Sequence, residues 1–150
     1  MIRLAAALSL LAGDLAAQSV EQCHEFIDVT MITEPWEERS RSFANGAVRV
    51  FEATGDPNLA NSAVIGLLHP VPGELAGSGM FRGCTAILSD RDRRSFFGEV
   101  LIEATEASYD PATGLTLRIP VRYATDSRGL PTEDMVTVTV NQATGWVTAE

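Results

Sequence analysis

Leu115-Thr116-Leu117-Arg118-Ile119-Pro120-Val121-Arg122-Tyr123 is the stretch whose reading decides the fold. Apolar side chains fill the odd positions, and Thr, Arg and Pro fill the even ones. Successive side chains of a strand point to opposite faces, so this period of two predicts a strand with one buried face and one wet face. Pro120 has no N–H to give a ladder, which predicts an edge position or a bulge there. The stretch before it, Asp110-Pro111-Ala112-Thr113-Gly114, reads as a hairpin connection: Asp and Pro start the turn and Gly supplies its left-handed residue. The end of the chain repeats the device. Val136, Val138 and Val140 alternate with Thr137 and Thr139, and Asn141-Gln142-Ala143-Thr144-Gly145 turns the chain into Trp146-Val147.

Further from this centre the signals are shorter. Residues 96–109 must enter the first hairpin as strand, although Phe97, Val100, Leu101 and Ala104 also fit a helical face. A strand with a bulge near Glu103 reconciles the two, and it lets Glu106 or Ser108 face Arg118 or Arg122 across the ladder. Residues 80–88, carrying Cys84, read as a strand. Residues 63–68, Ala-Val-Ile-Gly-Leu-Leu, form a continuous apolar run, as expected of a strand buried on both faces. Residues 47–53 are a further strand, preceded by the turn signal Asn45-Gly46. Residues 20–29 place Cys23, Phe26 and Ile27 at helical spacing, predicting one to three turns of helix that Pro35 brings to a stop. No β–helix–β crossover is legible, so the fold class is all-β: six or seven antiparallel strands as a sandwich or partly open barrel, with a short N-terminal helix. Phe51, Tyr123 and Trp146 read as core.

The chain of 150 residues divides at its start. Arg3 precedes a ten-residue apolar run over 4–13, and small residues follow at Ala16, Ala17 and Ser19. That is the layout of a secretory signal peptide over residues 1–17, cut after Ala17 or, failing that, after Ser19. A membrane-crossing helix needs about 20 apolar residues, and Asp14 ends this run at about half that, so no membrane span is expected. Val20-Glu21-Gln22 before Cys23 does not fit a lipoprotein signal. Residues 18–150 then form a single domain, periplasmic or secreted. In an oxidising compartment the default for Cys23 and Cys84 is a disulfide closing a 61-residue separation. A metal site is the rival, with His24 beside Cys23, but zinc sites announce themselves with close Cys/His pairs and there is none.

Charge narrows the partners. Acids outnumber bases 20 to 11, all the bases are Arg, and the net charge is −9. A polyanion repels nucleic acid and anionic membranes, so neither is an expected partner. No G-x-S-x-G, H-E-x-x-H or phosphate-binding glycine loop occurs, and no cofactor is expected. Two oxygen-rich loops, Gly55-Asp56-Pro57-Asn58-Leu59-Ala60-Asn61 and residues 126–134, lack calcium-loop spacing and read as solvated turns. Arg91, Arg93 and Arg94 are interleaved with Asp90 and Asp92, which weakens any anion site there. Two residues remain as functional candidates. His69 sits where an apolar strand meets a Pro-rich loop, a position where functional side chains gather, although a surface His capping a strand end is the plainer reading. Trp36, between acids, is either an anchor for a partner or a lid on the core.

Four segments carry a resemblance: Ser19-Val20-Glu21-Gln22-Cys23, Glu34-Pro35-Trp36-Glu37, Phe43-Ala44-Asn45-Gly46-Ala47-Val48-Arg49 and Ser108-Tyr109-Asp110-Pro111-Ala112-Thr113-Gly114-Leu115. Together they resemble parts of a group of small exported bacterial proteins with no assigned function. The resemblance implies export and brings no activity, ligand or site with it. The sequence therefore points to an exported, non-catalytic module that binds a protein or small molecule in the cell envelope. The alternative is a small hydrolase or metal-dependent enzyme using His69 with nearby carboxylates. A third reading is an inhibitor-like or structural domain presenting a rigid loop over 70–79.

Overall fold

A computed structural model describes residues 18–71, 82–90, 95–124 and 130–150. The leader at 1–17, the tip of the 70–79 loop, Arg91, Arg93, Arg94 and the first half of the 126–134 loop lie outside the described residues. In chain order the strands are β1 (Ser19–Gln22), β2 (Ser40–Phe43), β3 (Val48–Thr54), β4 (Ala63–Pro70), β5 (Arg82–Leu88), β6 (Glu99–Val100), β7 (Glu106–Asp110), β8 (Gly114–Tyr123), β9 (Thr132–Val140) and β10 (Val147–Ala149). They form two antiparallel five-stranded sheets, ordered β1-β5-β4-β3-β2 and β10-β9-β8-β6, with β7 continuing beside β8 after β6. The architecture is a sandwich-like all-β fold. The described residues hold ten strands where the sequence suggested six or seven, because β1 and β2 are four residues long and too short to show a period, and residues 96–109 divide into β6 and β7.

The alternation of β8 and β9 packs as expected. Leu115, Leu117, Ile119, Val121, Val136, Val138 and Val140 are buried against Val48, Val50, Ile65, Leu67 and Ile87 of the facing sheet. The two hairpin turns use one chemistry. Asp110 Oδ1 accepts the N–H groups of Ala112 and Thr113 at 2.7 and 3.2 Å, and Asn141 Oδ1 accepts those of Ala143 and Thr144, each at 3.1 Å. Each turn closes on a glycine with positive φ, Gly114 at 102° and Gly145 at 72°.

Pro120 lies neither at an edge nor in a bulge of its own strand, which is central. The interruption is in its neighbour. Between β6 and β7 the chain leaves the ladder through a 3₁₀ turn (Ile102–Ala104), and the N–H of Leu101 still reaches Pro120 O at 2.9 Å. The missing donor of Pro120 therefore faces the gap, where no ladder acceptor awaits it. This turn replaces the bulge expected near Glu103. Glu106 does pair with Arg118, at 3.2 Å, while Arg122 is held by Glu99 at 3.0 Å and Glu133 at 2.9 Å.

The two sheets differ on their outer faces. That of β8 and β9 is wet, lined by Thr, Arg and Glu. That of β3, β4 and β5 is apolar and covered, with Phe51, Ala53, Val64, Ala86 and Leu88 packed beneath Phe26, Ile27, Met31 and Trp36. This covering explains why β4 is apolar at consecutive positions. The covering segment starts as strand β1, not helix, and the helix is the single turn α1 (Cys23–Phe26). Cys23 and Cys84 are bonded, with Cα atoms 5.3 Å apart, tying α1 to β5. Gly66 is required by this face: Phe51, its partner across the ladder, lays its ring over the glycine, and any Cβ would overlap the ring.

Candidate functional site

β4 runs two residues further than the sequence suggested, so His69 and Pro70 are strand residues. Ala63, Ile65 and Leu67 point between the sheets, and period two carries His69 onto the same inward face. His69 is 6% exposed. The expected surface His at a strand end is thus corrected: ladder pairing to β5 continues through His69↔Gly83 and Pro70↔Arg82, which keeps the ring inside. It lies over Gly83, where a Cβ would sit 2.8 Å from Cε1.

Both ring nitrogens are engaged. Nδ1 lies 3.0 Å from the Pro70 carbonyl oxygen, which only accepts, so Nδ1 carries the proton. Nε2 then accepts the hydroxyl proton of Thr85 at 2.9 Å. Burial pushes the imidazole pKa below its usual 6.5, and the Pro70 carbonyl pulls it back only in part. The side chain is neutral at neutral pH. Among the described residues the groups that meet His69 are a hydroxyl and a carbonyl, and no described carboxylate is its hydrogen-bond partner.

His69 and Thr85 open onto a cleft of about 530 Å³. One wall is Val20 and Gln22 of β1 with Gly83, Cys84 and Thr85 of β5; the other is Thr144, Gly145, Trp146 and Val147. The cleft therefore lies at the seam where edge strand β1 of one sheet approaches edge strand β10 of the other. Its volume falls within the roughly 300–1,000 Å³ range of small-molecule sites.

Trp146 is not core. It is 75% exposed, at the rim of this cleft. Val147 pairs with Val140 and Ala149 with Val138, both inward, so the residue before Val147 must point away from the interior. Parity counted back from Ala149 was the signal that could have placed it. Trp36 takes the lid role. It packs against Phe51 with ring centroids 5.4 Å apart, and the Arg49 guanidinium lies 5.4 Å over its ring. Trp36 and His69 occupy opposite faces of one sheet and do not converge.

The other candidates serve local structure. Asp56 Oδ1 accepts from Asn58 N and Nδ2 at 2.9 and 2.8 Å, bonds that hold its carboxyl below the usual range, and Asn61 Oδ1 accepts from Ala124 N at 2.7 Å. Among the described residues no three His, Cys, Asp or Glu side chains are grouped to hold a metal ion. One buried charge gave no sequence signal. Glu52, 4% exposed, accepts from Arg39 Nη1 at 2.9 Å and from Val100 N at 3.3 Å. It braces β3 against β6 beside a second cleft of about 310 Å³.

No protein-family model, curated protein or solved structure matches the chain.

Proposed function

We propose that the protein is an exported, non-catalytic binding module whose ligand seat is the cleft between β1 and the β9–β10 turn. The observation that carries this reading is an indole left 75% exposed at the rim of a concave site. Exposing a large aromatic surface to water is unfavourable, and an aromatic side chain beside a pocket is the kind of residue that dominates recognition energetics. Export is supported by the Cys23–Cys84 bond, which persists in oxidising compartments, and by the leader-like first 17 residues. No helix among the described residues is long and apolar enough to cross a membrane. The periplasm or the medium is the proposed location.

The test is amide NMR of the oxidised protein titrated with a mixed small-molecule fragment library. Fragments that bind should shift the resonances of Val20, Gln22, Thr85, Thr144 and Trp146 together, and Trp146→Ala should abolish those shifts without lowering Tm. Shifts that cluster elsewhere, with this set unmoved, refute the assignment.

A second reading is favoured by one contact. The Thr85 hydroxyl donates to a neutral, carbonyl-oriented imidazole, the arrangement by which a base activates a hydroxyl nucleophile. A small hydrolase of this kind would lose ester-cleaving activity in both His69→Gln and Thr85→Val. Turnover that survives either change eliminates it.

A further inference from the structure

The lining of the cleft says more about its ligand than its volume does. The eleven described residues that line it include no Asp, Glu, Lys or Arg, in a chain with 31 such residues and a net charge of −9. The one titratable group among them, His69, is neutral. A charged ligand entering here would lose water and find no counter-ion among these residues, which is strongly unfavourable. A wholly apolar ligand fares badly for the opposite reason. Gln22, Thr85 and Thr144 contribute an amide and two hydroxyls, and covering them with hydrocarbon would strip their water without replacement. Thr85 spends its proton on His69 and keeps lone pairs to accept a further hydrogen bond. Against these polar groups stand the indole of Trp146 and the side chains of Val20, Val71 and Val147. The site thus asks for a molecule without charge, with hydroxyls on its edges and one flat apolar face.

We infer that the ligand of this cleft is a neutral saccharide, seated with the C–H face of a pyranose ring on Trp146 and its hydroxyls on Gln22, Thr85 and Thr144. The inference rests on the binding-module reading and deepens it. The indole offers a broad apolar face for the ring while the cleft behind it satisfies the hydroxyls. Such a complex has no ion pair, so its affinity is insensitive to salt.

The experiment titrates the oxidised protein with four kinds of probe and follows tryptophan fluorescence and amide shifts together. The probes are neutral tetrasaccharides of glucose and of N-acetylglucosamine, their cationic and anionic counterparts (a glucosamine and a galacturonate tetramer), and indole as an apolar ring. Binding of a neutral tetramer with shifts at Gln22, Thr85 and Thr144, unchanged from low to high salt and weakened at least about tenfold in Trp146→Ala, is the expected result. Gln22→Ala should weaken it separately while circular dichroism and Tm stay put. Tighter binding of either charged tetramer, or cleft shifts with indole but with no saccharide, overturns the saccharide inference and leaves the binding module standing. Cleft resonances that no probe and no library fragment moves overturn both.

Discussion

Replacing both Cys23 and Cys84 by Ala should cost the protein about 4 kcal/mol, because the bond closes a loop across a 61-residue separation and the entropy of that closure is removed from the unfolded chain. The folded state needs little help from the bond. β1 already lies beside β5 through Ser19↔Leu88 to Gln22↔Thr85, and the Cα atoms sit 5.3 Å apart, an ordinary separation for bonded cysteines. For a domain of this length a loss of that size lowers Tm by roughly 12–16 °C. In urea it moves the midpoint by about 2 M at an m-value near 2 kcal/mol/M. Chevron kinetics locate the effect: if the bond acts through the unfolded state and β1 docks late, the transition state shares the released chain entropy, so the unfolding limb speeds up and the folding limb moves little. The reduced wild type should superpose on the double variant. A loss below about 1 kcal/mol refutes the loop-closure argument, and a folding limb that slows by the full loss refutes late docking of β1. The cleft supplies an independent readout. β1 is a four-residue edge strand and forms one cleft wall, so hydrogen exchange in β1 should accelerate in the double variant more than exchange in β3 or β8.

Gly66→Ala should cost about 1–3 kcal/mol in urea denaturation, because its methyl would overlap the Phe51 ring, and Phe51→Leu in the same chain should recover part of that loss. Ala44→Gly should raise stability by up to about 1 kcal/mol, since Ala44 holds φ at 52° in the left-handed turn Ala44–Gly46 and a Cβ is penalised there. His69 makes stability depend on pH. Its folded pKa lies below 6.5, so the unfolded state binds the extra proton in the interval between the two values. Stability is fully present above pH 6.5 and falls as pH drops from there to the folded pKa, with a slope of at most about 1.4 kcal/mol per pH unit; His69→Gln should flatten the curve in that window and leave the loss below pH 3.8 intact. Gly83→Ala places a methyl 2.8 Å from His69 Cε1, so ¹⁵N NMR should show Nε2 released from Thr85, and an unchanged Nε2 shift would contradict the ring's position.

What the sequence shows of this fold follows from how many faces each strand buries. β8 and β9 bury one face, so their composition alternates and their orientation can be read directly. β4 buries two. With Val64, Gly66 and Leu68 under the N-terminal covering and Ile65 and Leu67 between the sheets, its run is uniformly apolar and the period vanishes. That loss of period concealed His69. Its inward direction is set by the parity of Ile65 and Leu67, and that parity is visible only once the outer face is known to be covered. β1 reads as helix, and β10 is legible only as the arm after a hairpin turn with no period to orient it, and these are the strands that bound the cleft.

The same asymmetry accounts for where the candidate site lies. The apolar outer face of one sheet is sealed by residues 23–36, and the interior is filled by aliphatic side chains along most of its length. Toward the β1–β10 seam the inward positions change character: Leu67 gives way to His69 on β4, and Ile87 to Thr85 on β5. A polar residue that faces inward is costly in the middle of a sandwich and affordable at its end, where water or a ligand can reach it. The histidine and threonine satisfy each other, and the described residues that line the cleft with them carry no formal charge. The indole of Trp146, at the rim of the cleft, is turned outward by the pairing of Val147 with Val140. Each of these placements follows from strand parity and register, so the cleft is built by the fold itself, and a substitution that slips β10 by one residue would turn Trp146 inward and close the seat.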